Sequence, residues 1–244
     1  MQDTYVGDIG DFGKFVLLRR LEKEGFKIGI NWYKTDLPGA LKDGDYEIPC
    51  LFDNSEEGEI AKQLRGLFDA KSPPLRSIEA LENLKLIGSN CYYHAAVPQT
   101  GVDRKHWYEE SKKKFQDCNL VFLDPDNGLQ VNSVKENSKK SVKYVYTREI
   151  MDYLKNENCK CVMFYNHRSR IKPDQYFLEK QRRLEEGMNS DHYLVAHITF
   201  PRQTIRDYFA VCKDKEAHAI IRAAFDKILE SQWASKEYRL CRKQ

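Results

Sequence analysis

The chain has 244 residues, of which 41% are hydrophobic and 32% are charged, with a net charge of +3. This composition is ordinary for a globular protein with a sizeable core, and the near-neutral charge argues neither for nor against nucleic acid as a partner. No apolar stretch approaches the roughly 20 residues that a membrane-spanning helix needs. The N-terminal residues carry acids where a signal peptide would be basic and then apolar. We therefore expect a soluble cytoplasmic protein without a membrane partner.

The cysteines are odd in number and scattered, and several adjoin apolar runs, which is typical of free thiols in a reducing compartment. Cys159 and Cys161 are separated by one residue and have no second pair nearby. This spacing argues against a structural zinc site.

The first half of the chain alternates helical and strand patterns. Phe15, Leu18 and Leu21 share one face of a predicted helix over 12–24, and residues 27–33 predict the first strand. Residues 35–53 are rich in Gly, Pro and Asp, and we interpret them as a loop-rich insertion near a site. Helices over 56–70, 77–84 and 103–115 follow, with a strand over 89–97 between the last two.

The second half of the chain contains the strongest strand pattern, over 119–124. This segment is short, continuously apolar and bounded by polar residues. That pattern is typical of a central strand in a buried parallel sheet. Spacing then predicts a helix over 147–155, a strand over 159–166, a helix over 175–187, strands over 192–200 and 207–212, and a helix over 215–231. The alternation predicts a single α/β domain, with a mostly parallel Rossmann-like sheet flanked by helices and a C-terminal antiparallel hairpin at its edge.

An acidic turn follows the predicted central strand, with the sequence Asp124-Pro125-Asp126-Asn127-Gly128. Ligands of open α/β sheets bind beyond the carboxyl ends of the strands. Pro125 restricts Asp124 to an extended conformation, and Asn127-Gly128 is a strong turn signal. Asp124, Asp126 and Asn127 are therefore candidate catalytic residues, able to accept hydrogen bonds from an amine or to bind a hard cation. The alternative is a turn that uses these residues for its backbone alone.

Polar residues also follow the next predicted strand. His167 is a candidate catalytic base, while Asn166, Arg168 and Arg170 are candidates for binding phosphate or another polar substrate group. A solvated basic loop would have the same composition, so both interpretations stay open.

Three other groups of basic residues have an ordinary explanation. Lys112–Lys114 and Lys139–Lys140 are typical of solvated surfaces. Arg202 and Arg206, in the linker of the predicted hairpin, can contact backbone phosphate or form a surface turn.

The N-terminal segment Gly7–Lys14 interleaves three glycines with two acids and a lysine just before a helix. Glycines allow a ligand to approach the backbone closely, but the acids would repel an anion, and the spacing is not that of a phosphate loop. We interpret Gly7, Asp8, Asp11 and Lys14 as residues that line a cofactor or substrate pocket. Either acid can instead cap the helix.

Two of these segments together resemble the bacterial large-subunit ribosomal RNA adenine-N6 methyltransferase family. That family opens with a motif of the form His-x-Gly-Asn-x-x-Asp-x-x-Lys-His before a helix, and Gly7, Asp11 and Lys14 match it in type and spacing. A later strand of the family ends in Asp-Pro-Pro-Tyr, where this chain has Asp124-Pro125-Asp126-Asn127. The closing hairpin is also similar to the last strands of a class I methyltransferase sheet.

The resemblance implies an enzyme that binds S-adenosylmethionine and acts on nucleic acid. Asp124 would orient the target amine, the Gly7–Lys14 segment would line the pocket, and Arg168 and Arg170 would contact phosphate. The chain departs from the family at two places. A single glycine, Gly39, follows the first predicted strand in place of a Gly-rich turn, and Asn127, which cannot stack on a base, replaces the aromatic residue.

Two alternatives stay open. In the first, a metal-dependent nuclease or phosphodiesterase uses Asp124 and Asp126, with Asp8 or Asp11, to bind Mg²⁺ or Mn²⁺, and His167 is a base. In the second, a non-catalytic module with a degenerate site binds nucleic acid. Both enzyme hypotheses require the N-terminal segment and the acidic turn to share one cleft.

Overall fold

The computed structural model describes residues 1–35, 46–48, 54–70, 75–88, 91–168, 172–188 and 192–231. Its main sheet contains six strands, namely β1 (Ile28–Asn31), β2 (Cys91–Tyr93), β3 (Leu120–Leu123), β6 (Cys161–His167), β7 (Leu194–Phe200) and β8 (Arg206–Cys212). Two very short strands, β4 (Gly128–Leu129) and β5 (Tyr144–Val145), pair in parallel beside it.

The order of the main sheet is β2-β1-β3-β6-β8-β7. The first four of these strands are parallel, whereas β8 runs antiparallel to both of its neighbours. The predicted fold class, a mostly parallel α/β sheet with an antiparallel hairpin at the edge, is confirmed. Because the chain goes from β1 to β2 on one side and returns to β3 on the other, the carboxyl ends of β1 and β3 flank the topological switch point.

Helices cover both faces of the sheet. They are α1 (Ile9–Lys23), α2 (Glu56–Asp69), α3 (Ile78–Asn83), α4 (Gly101–Lys114), α5 (Thr147–Leu154), α6 (Pro173–Met188) and α7 (Lys215–Leu229). Apolar side chains of α1, α2, α3 and α7 form one core cluster, and those of α4, α5 and α6 form the other. Strand β3 supplies both clusters, since Leu120 and Phe122 point to one and Val121 and Leu123 to the other. Its apolar run is continuous for this reason.

No helix in the described ranges combines the length and the apolar character that crossing a bilayer requires.

The bounds of two predicted elements differ from the observed bounds by three residues or more at one end. Helix α1 begins at Ile9, three residues before the predicted start, because the Asp8 carboxylate caps it by accepting hydrogen bonds from the backbone nitrogens of Gly10 (2.7 Å) and Asp11 (3.0 Å). Of the strand predicted over 89–97, the structure describes residues 91–97, and among these only Cys91–Tyr93 forms a strand, β2; beyond it the indole of Trp107 donates to the Ala95 carbonyl at 2.9 Å. Most of the predicted insertion over 35–53 lies outside the described residues.

Candidate functional site

A cleft of about 580 Å³ lies at the carboxyl end of the parallel strands. Most of its lining comes from three parts of the chain: the N-terminal residues 1–14, the acidic turn after β3, and the adjoining ends of β6 and β8. Tyr46 and Lys143 complete it. Because β8 is antiparallel, its first residues lie at the same end of the sheet as the last residues of β6. The structure thus brings the N-terminal segment and the acidic turn together in one cleft.

Lys14 joins these two parts. Its ammonium group donates to Asp11 Oδ1 and to Asp124 Oδ2, both at 2.7 Å, and lies 5.0 Å from the centre of the Trp32 ring. All three charged side chains are buried. Burial disfavours the charged amine, but the two carboxylates outweigh this effect and raise the pKa of Lys14. The side chain is therefore a permanent cation at the base of the cleft.

Gly7 faces away from the cleft. Its backbone is in the left-handed region at φ +80°, and its nitrogen donates to Asp11 Oδ2 at 2.8 Å. A Cβ atom here would lie 2.6 Å from the Leu64 carbonyl oxygen of α2. Gly7 is not among the residues that line the cleft. The absence of a side chain at this position allows helix α2, and not a ligand, to approach the backbone closely.

Asp8 both caps helix α1 and lines the cleft. Its second oxygen, Oδ2, lies 3.4 Å from Nη2 of Arg206. Nη1 of the same guanidinium donates to the carbonyl oxygens of Arg202 and Thr204. Burial raises the pKa of Asp8 to about 7, even though Arg206 opposes this rise. A Cβ atom at Gly10 would lie 2.7 Å from Arg206 Nε, so this glycine leaves room for the guanidinium. The capping and site interpretations of Asp8 are therefore compatible.

The two acids of the turn have different surroundings. Burial raises the pKa of Asp124, although Lys14 opposes the rise. Burial acts in the same direction on Asp126, but cationic neighbours and the Gln2 amide outweigh it and lower its pKa to about 2. The amino nitrogen of Met1 lies 2.7 Å from Oδ1 of Asp126, and Lys143 lies 3.4 Å from its Oδ2. Each carboxylate thus already faces a cation.

The turn itself depends on a glycine and an amide. Gly128 has φ +102°, and a Cβ atom there would lie 2.1 Å from Oδ1 of Asn166. That oxygen accepts from the backbone nitrogen of Leu129 at 2.8 Å, while Nδ2 of Asn166 donates to the Tyr176 hydroxyl at 2.5 Å. Asn166, predicted to bind substrate, instead holds the turn onto the end of β6. Asn127 lines the cleft, and its backbone nitrogen donates to the Lys143 carbonyl at 3.0 Å.

His167 is exposed and lines the cleft. The Tyr165 hydroxyl lies 3.4 Å from its Nδ1. Partial desolvation of the imidazole lowers the pKa of His167, and the positive charge of Arg206 adds to this effect. The imidazole is therefore neutral near pH 7, as a base requires.

Arg168 does not line the cleft. Its guanidinium binds both carboxylate oxygens of Asp207, with Nε 2.9 Å from Oδ2 and Nη2 2.5 Å from Oδ1. It also lies 4.9 Å from the centre of the Phe177 ring. Binding phosphate through Arg168 would require this ion pair to break, because Asp207 is fully buried. Arg170 lies outside the described residues.

The cleft is also lined by four tyrosines that the sequence analysis did not identify as site residues: Tyr5, Tyr46, Tyr165 and Tyr208. Tyr208 is completely buried, and its hydroxyl has no hydrogen-bond partner within the described part of the chain. Tyr165 lies near the end of a predicted strand, and this position indicates that it can line a ligand site. The position of Tyr208 in the sequence gives no such indication, because it reaches the cleft only through the antiparallel direction of β8.

The switch-point crevice between β1 and β3 is filled by the chain itself. The Met1 nitrogen donates to the carbonyl oxygens of Tyr33 (3.1 Å) and Asp124 (3.2 Å), and the Thr35 nitrogen donates to the Met1 carbonyl at 3.0 Å.

Nowhere among the described residues do three or more His, Cys, Asp or Glu side chains form a group that could hold a metal ion.

Neither a protein-family model nor a curated protein sequence matches this chain.

Proposed function

We propose that this protein is a class I methyltransferase-like enzyme that acts on nucleic acid. The observation that carries the proposal is the 2.7 Å contact of Lys14 with Asp124, because it joins the two segments that resemble the ribosomal RNA adenine-N6 methyltransferase family. The order of the last three strands, with antiparallel β8 between β6 and β7, supports the same proposal.

The chemistry of the cleft suits S-adenosylmethionine, which supplies a methyl group from a positively charged sulfonium. Tyr5, Tyr46 and Tyr165 line the cleft and provide aromatic surfaces that attract a cation. A volume of about 580 Å³ is within the range of small-molecule sites. Since Met1 and Gln2 fill the crevice at the switch point, the open part of the site lies toward β6 and β8.

Asp124 is the residue to which we assign orientation of the target amine. Lys14 binds its Oδ2, which leaves Oδ1 to accept a hydrogen bond from the amine. The Lys14 charge also favours the ionised form of Asp124, against the effect of burial. The family's stacking aromatic is replaced by Asn127, and the cleft tyrosines supply the rings on which a base could stack instead.

Isothermal titration with S-adenosylmethionine, followed by transfer of a labelled methyl group to total RNA, tests the proposal. We expect binding by the wild type, and loss of at least 100-fold in transfer for Asp124→Asn. Asp152→Asn, at a surface ion pair with Lys155, is the matched control and should keep full activity. A folded sample that gives no binding heat would refute the proposal. RNA binding without turnover would favour the non-catalytic module.

A metal-dependent nuclease has less support. Asp124 faces Lys14, and Asp126 faces the Met1 nitrogen and Lys143, so neither acid is free to bind a cation without releasing a partner. A plasmid-nicking assay with and without EDTA separates the two proposals, since nicking that requires the metal would favour the nuclease.

A further inference from the structure

The loop between β4 and β5 carries a group of lysines beside the cleft. We call residues 135–143 the lysine segment, which contains Lys135, Lys139, Lys140 and Lys143. The first three are exposed, and Lys143 is half-buried. Its only acid, Glu136, forms an ion pair with Arg148. Lys135, Lys139 and Lys140 therefore present a surface of positive charge beside the cleft.

Two of the three lysines in the last turn of helix α4 differ in this respect. Lys112 lies 2.9 Å from Glu109, and Lys113 lies 2.7 Å from Glu110. In the lysine segment, by contrast, neither Lys135 nor Lys139 nor Lys140 forms an ion pair with any acid that the structure describes. A solvated surface explains the paired lysines of α4, but it gives no reason for three cations to be grouped without an acid partner.

The lysine segment is attached directly to the acidic turn. Gly128 and Leu129, which end that turn, pair in parallel with Tyr144 and Val145, which follow the segment. Lys143 lines the cleft, with its ammonium group 3.4 Å from Asp126 Oδ2. A polymer held by these lysines would therefore pass the mouth of the cleft.

The backbone of the segment is held in successive tight turns. The Ser138 nitrogen donates to the Lys135 carbonyl at 3.2 Å, and the Ser141 nitrogen donates to the Ser138 carbonyl at 2.8 Å. The buried Arg104 guanidinium anchors the end of the segment by donating to the Ser141 carbonyl at 3.1 Å and the Tyr144 carbonyl at 2.7 Å. The backbone positions of the lysines are thus set before any partner binds, which limits the backbone entropy lost on binding.

We propose that the lysine segment binds the sugar–phosphate backbone of a single-stranded nucleic acid whose reacting base enters the cleft. This inference rests on the proposed function and adds the surface that holds the substrate strand. Lysines bind phosphates as point charges and without base specificity, so the segment sets the position of the strand and leaves recognition of the base to the cleft.

Salt dependence of RNA binding tests the inference. Fluorescence anisotropy of a labelled 20-nucleotide single-stranded RNA, at several KCl concentrations, compares two triple variants that each remove three positive charges. One is Lys135→Gln with Lys139→Gln and Lys140→Gln, and the control is Lys112→Gln with Lys113→Gln and Lys114→Gln. Each phosphate contact on a single strand contributes about 0.7 to the slope of log K against log salt, so the first variant should lose about 2 from the slope. Its affinity at low salt should fall at least 10-fold, with less than a 2-fold change for the control.

Three results would overturn the inference: equal losses in both triple variants, no RNA binding by the folded wild type at low salt, or binding of phosphatidylserine vesicles but not RNA through the segment. Titration with S-adenosylmethionine separates this inference from the proposed function. RNA binding that depends on the segment, without cofactor binding, would refute the methyltransferase and leave the inference standing. Cofactor binding without RNA binding would refute the inference and leave an S-adenosylmethionine-binding enzyme whose substrate is not single-stranded RNA.

Discussion

The ammonium nitrogen of Lys14 lies 2.7 Å from Asp124 Oδ2, although 110 positions separate the two residues in the chain. Asp11 binds the same ammonium at the same distance. Because all three side chains are buried, each charge depends on the others for compensation. The contact that forms the base of the cleft is therefore also part of what holds α1 against the sheet.

Replacing Lys14 by methionine keeps the length of the side chain and removes its charge. Asp11 and Asp124 are then buried without their cation, and we expect the free energy of unfolding to fall by about 3–5 kcal/mol. Urea unfolding followed by tryptophan fluorescence measures this change. Lys113→Met is the control, because Lys113 pairs with Glu110 on the surface and its loss should leave the midpoint unchanged. Equal midpoints for both variants would contradict the buried network.

The hydroxyl of Tyr208 is buried without a partner in the described residues, so Tyr208→Phe should leave the free energy of unfolding unchanged or raise it by up to about 1 kcal/mol. Tyr153→Phe is the matched comparison. Its hydroxyl lies 2.6 Å from Ser111 Oγ and accepts from Asn31 Nδ2 at 3.2 Å, so its removal should cost about 1–2 kcal/mol. Thermal unfolding of both variants checks the difference, and a larger loss for Tyr208→Phe would be inconsistent with an unpartnered hydroxyl.

Asp8 should make stability fall as the pH rises. Its pKa is raised from 3.8 to about 7 by burial, so between these values the folded state holds a proton that the unfolded state has released. The stabilisation is complete below about pH 4 and is lost progressively up to about pH 7, by at most roughly 1.4 kcal/mol per pH unit.

Asp8→Asn removes this titration and keeps a side chain that can cap α1. The difference between wild type and variant in urea midpoints at pH 4.5, 5.5, 6.5 and 7.5 isolates Asp8 from other titrating groups. The wild type should lose stability relative to the variant along this series. Parallel curves would show that Asp8 titrates at its ordinary pKa.

Gly128 should tolerate no side chain. At φ +102°, and with Asn166 Oδ1 2.1 Å from an ideal Cβ position, Gly128→Ala should cost roughly 1–3 kcal/mol from backbone strain alone. Gly66→Ala is the control, since nothing lies within 4 Å of its Cβ position in helix α2. That variant should gain about 0.5–1 kcal/mol from better helix propensity. Chemical unfolding distinguishes the two, and a neutral Gly128→Ala would contradict the geometry of the turn.

The fold class could be predicted because it is encoded by local patterns. The continuous apolar run of β3, the spacing of Phe15, Leu18 and Leu21, and the Asn127-Gly128 turn each depend on neighbours a few positions away. The placement of the site at the end of β3 followed from the same patterns, since parallel strands present their carboxyl ends at one edge of the sheet. The catalytic and binding roles assigned to these residues stay predictions.

Local sequence patterns did not predict which ion-pair or hydrogen-bond partner each charged or polar side chain has in the fold. The sequence predicts that Arg168 binds phosphate, but Asp207 of the neighbouring antiparallel strand accepts hydrogen bonds from Nε and Nη2 of its guanidinium. Gly7 was expected to face a ligand, yet it packs on α2. The cleft tyrosines and the exposed lysines beside it gave no periodic signal. Contacts of this kind depend on which strands and helices become neighbours after folding, and a side chain's nearest charge is then set by distance in space, which local sequence spacing does not encode.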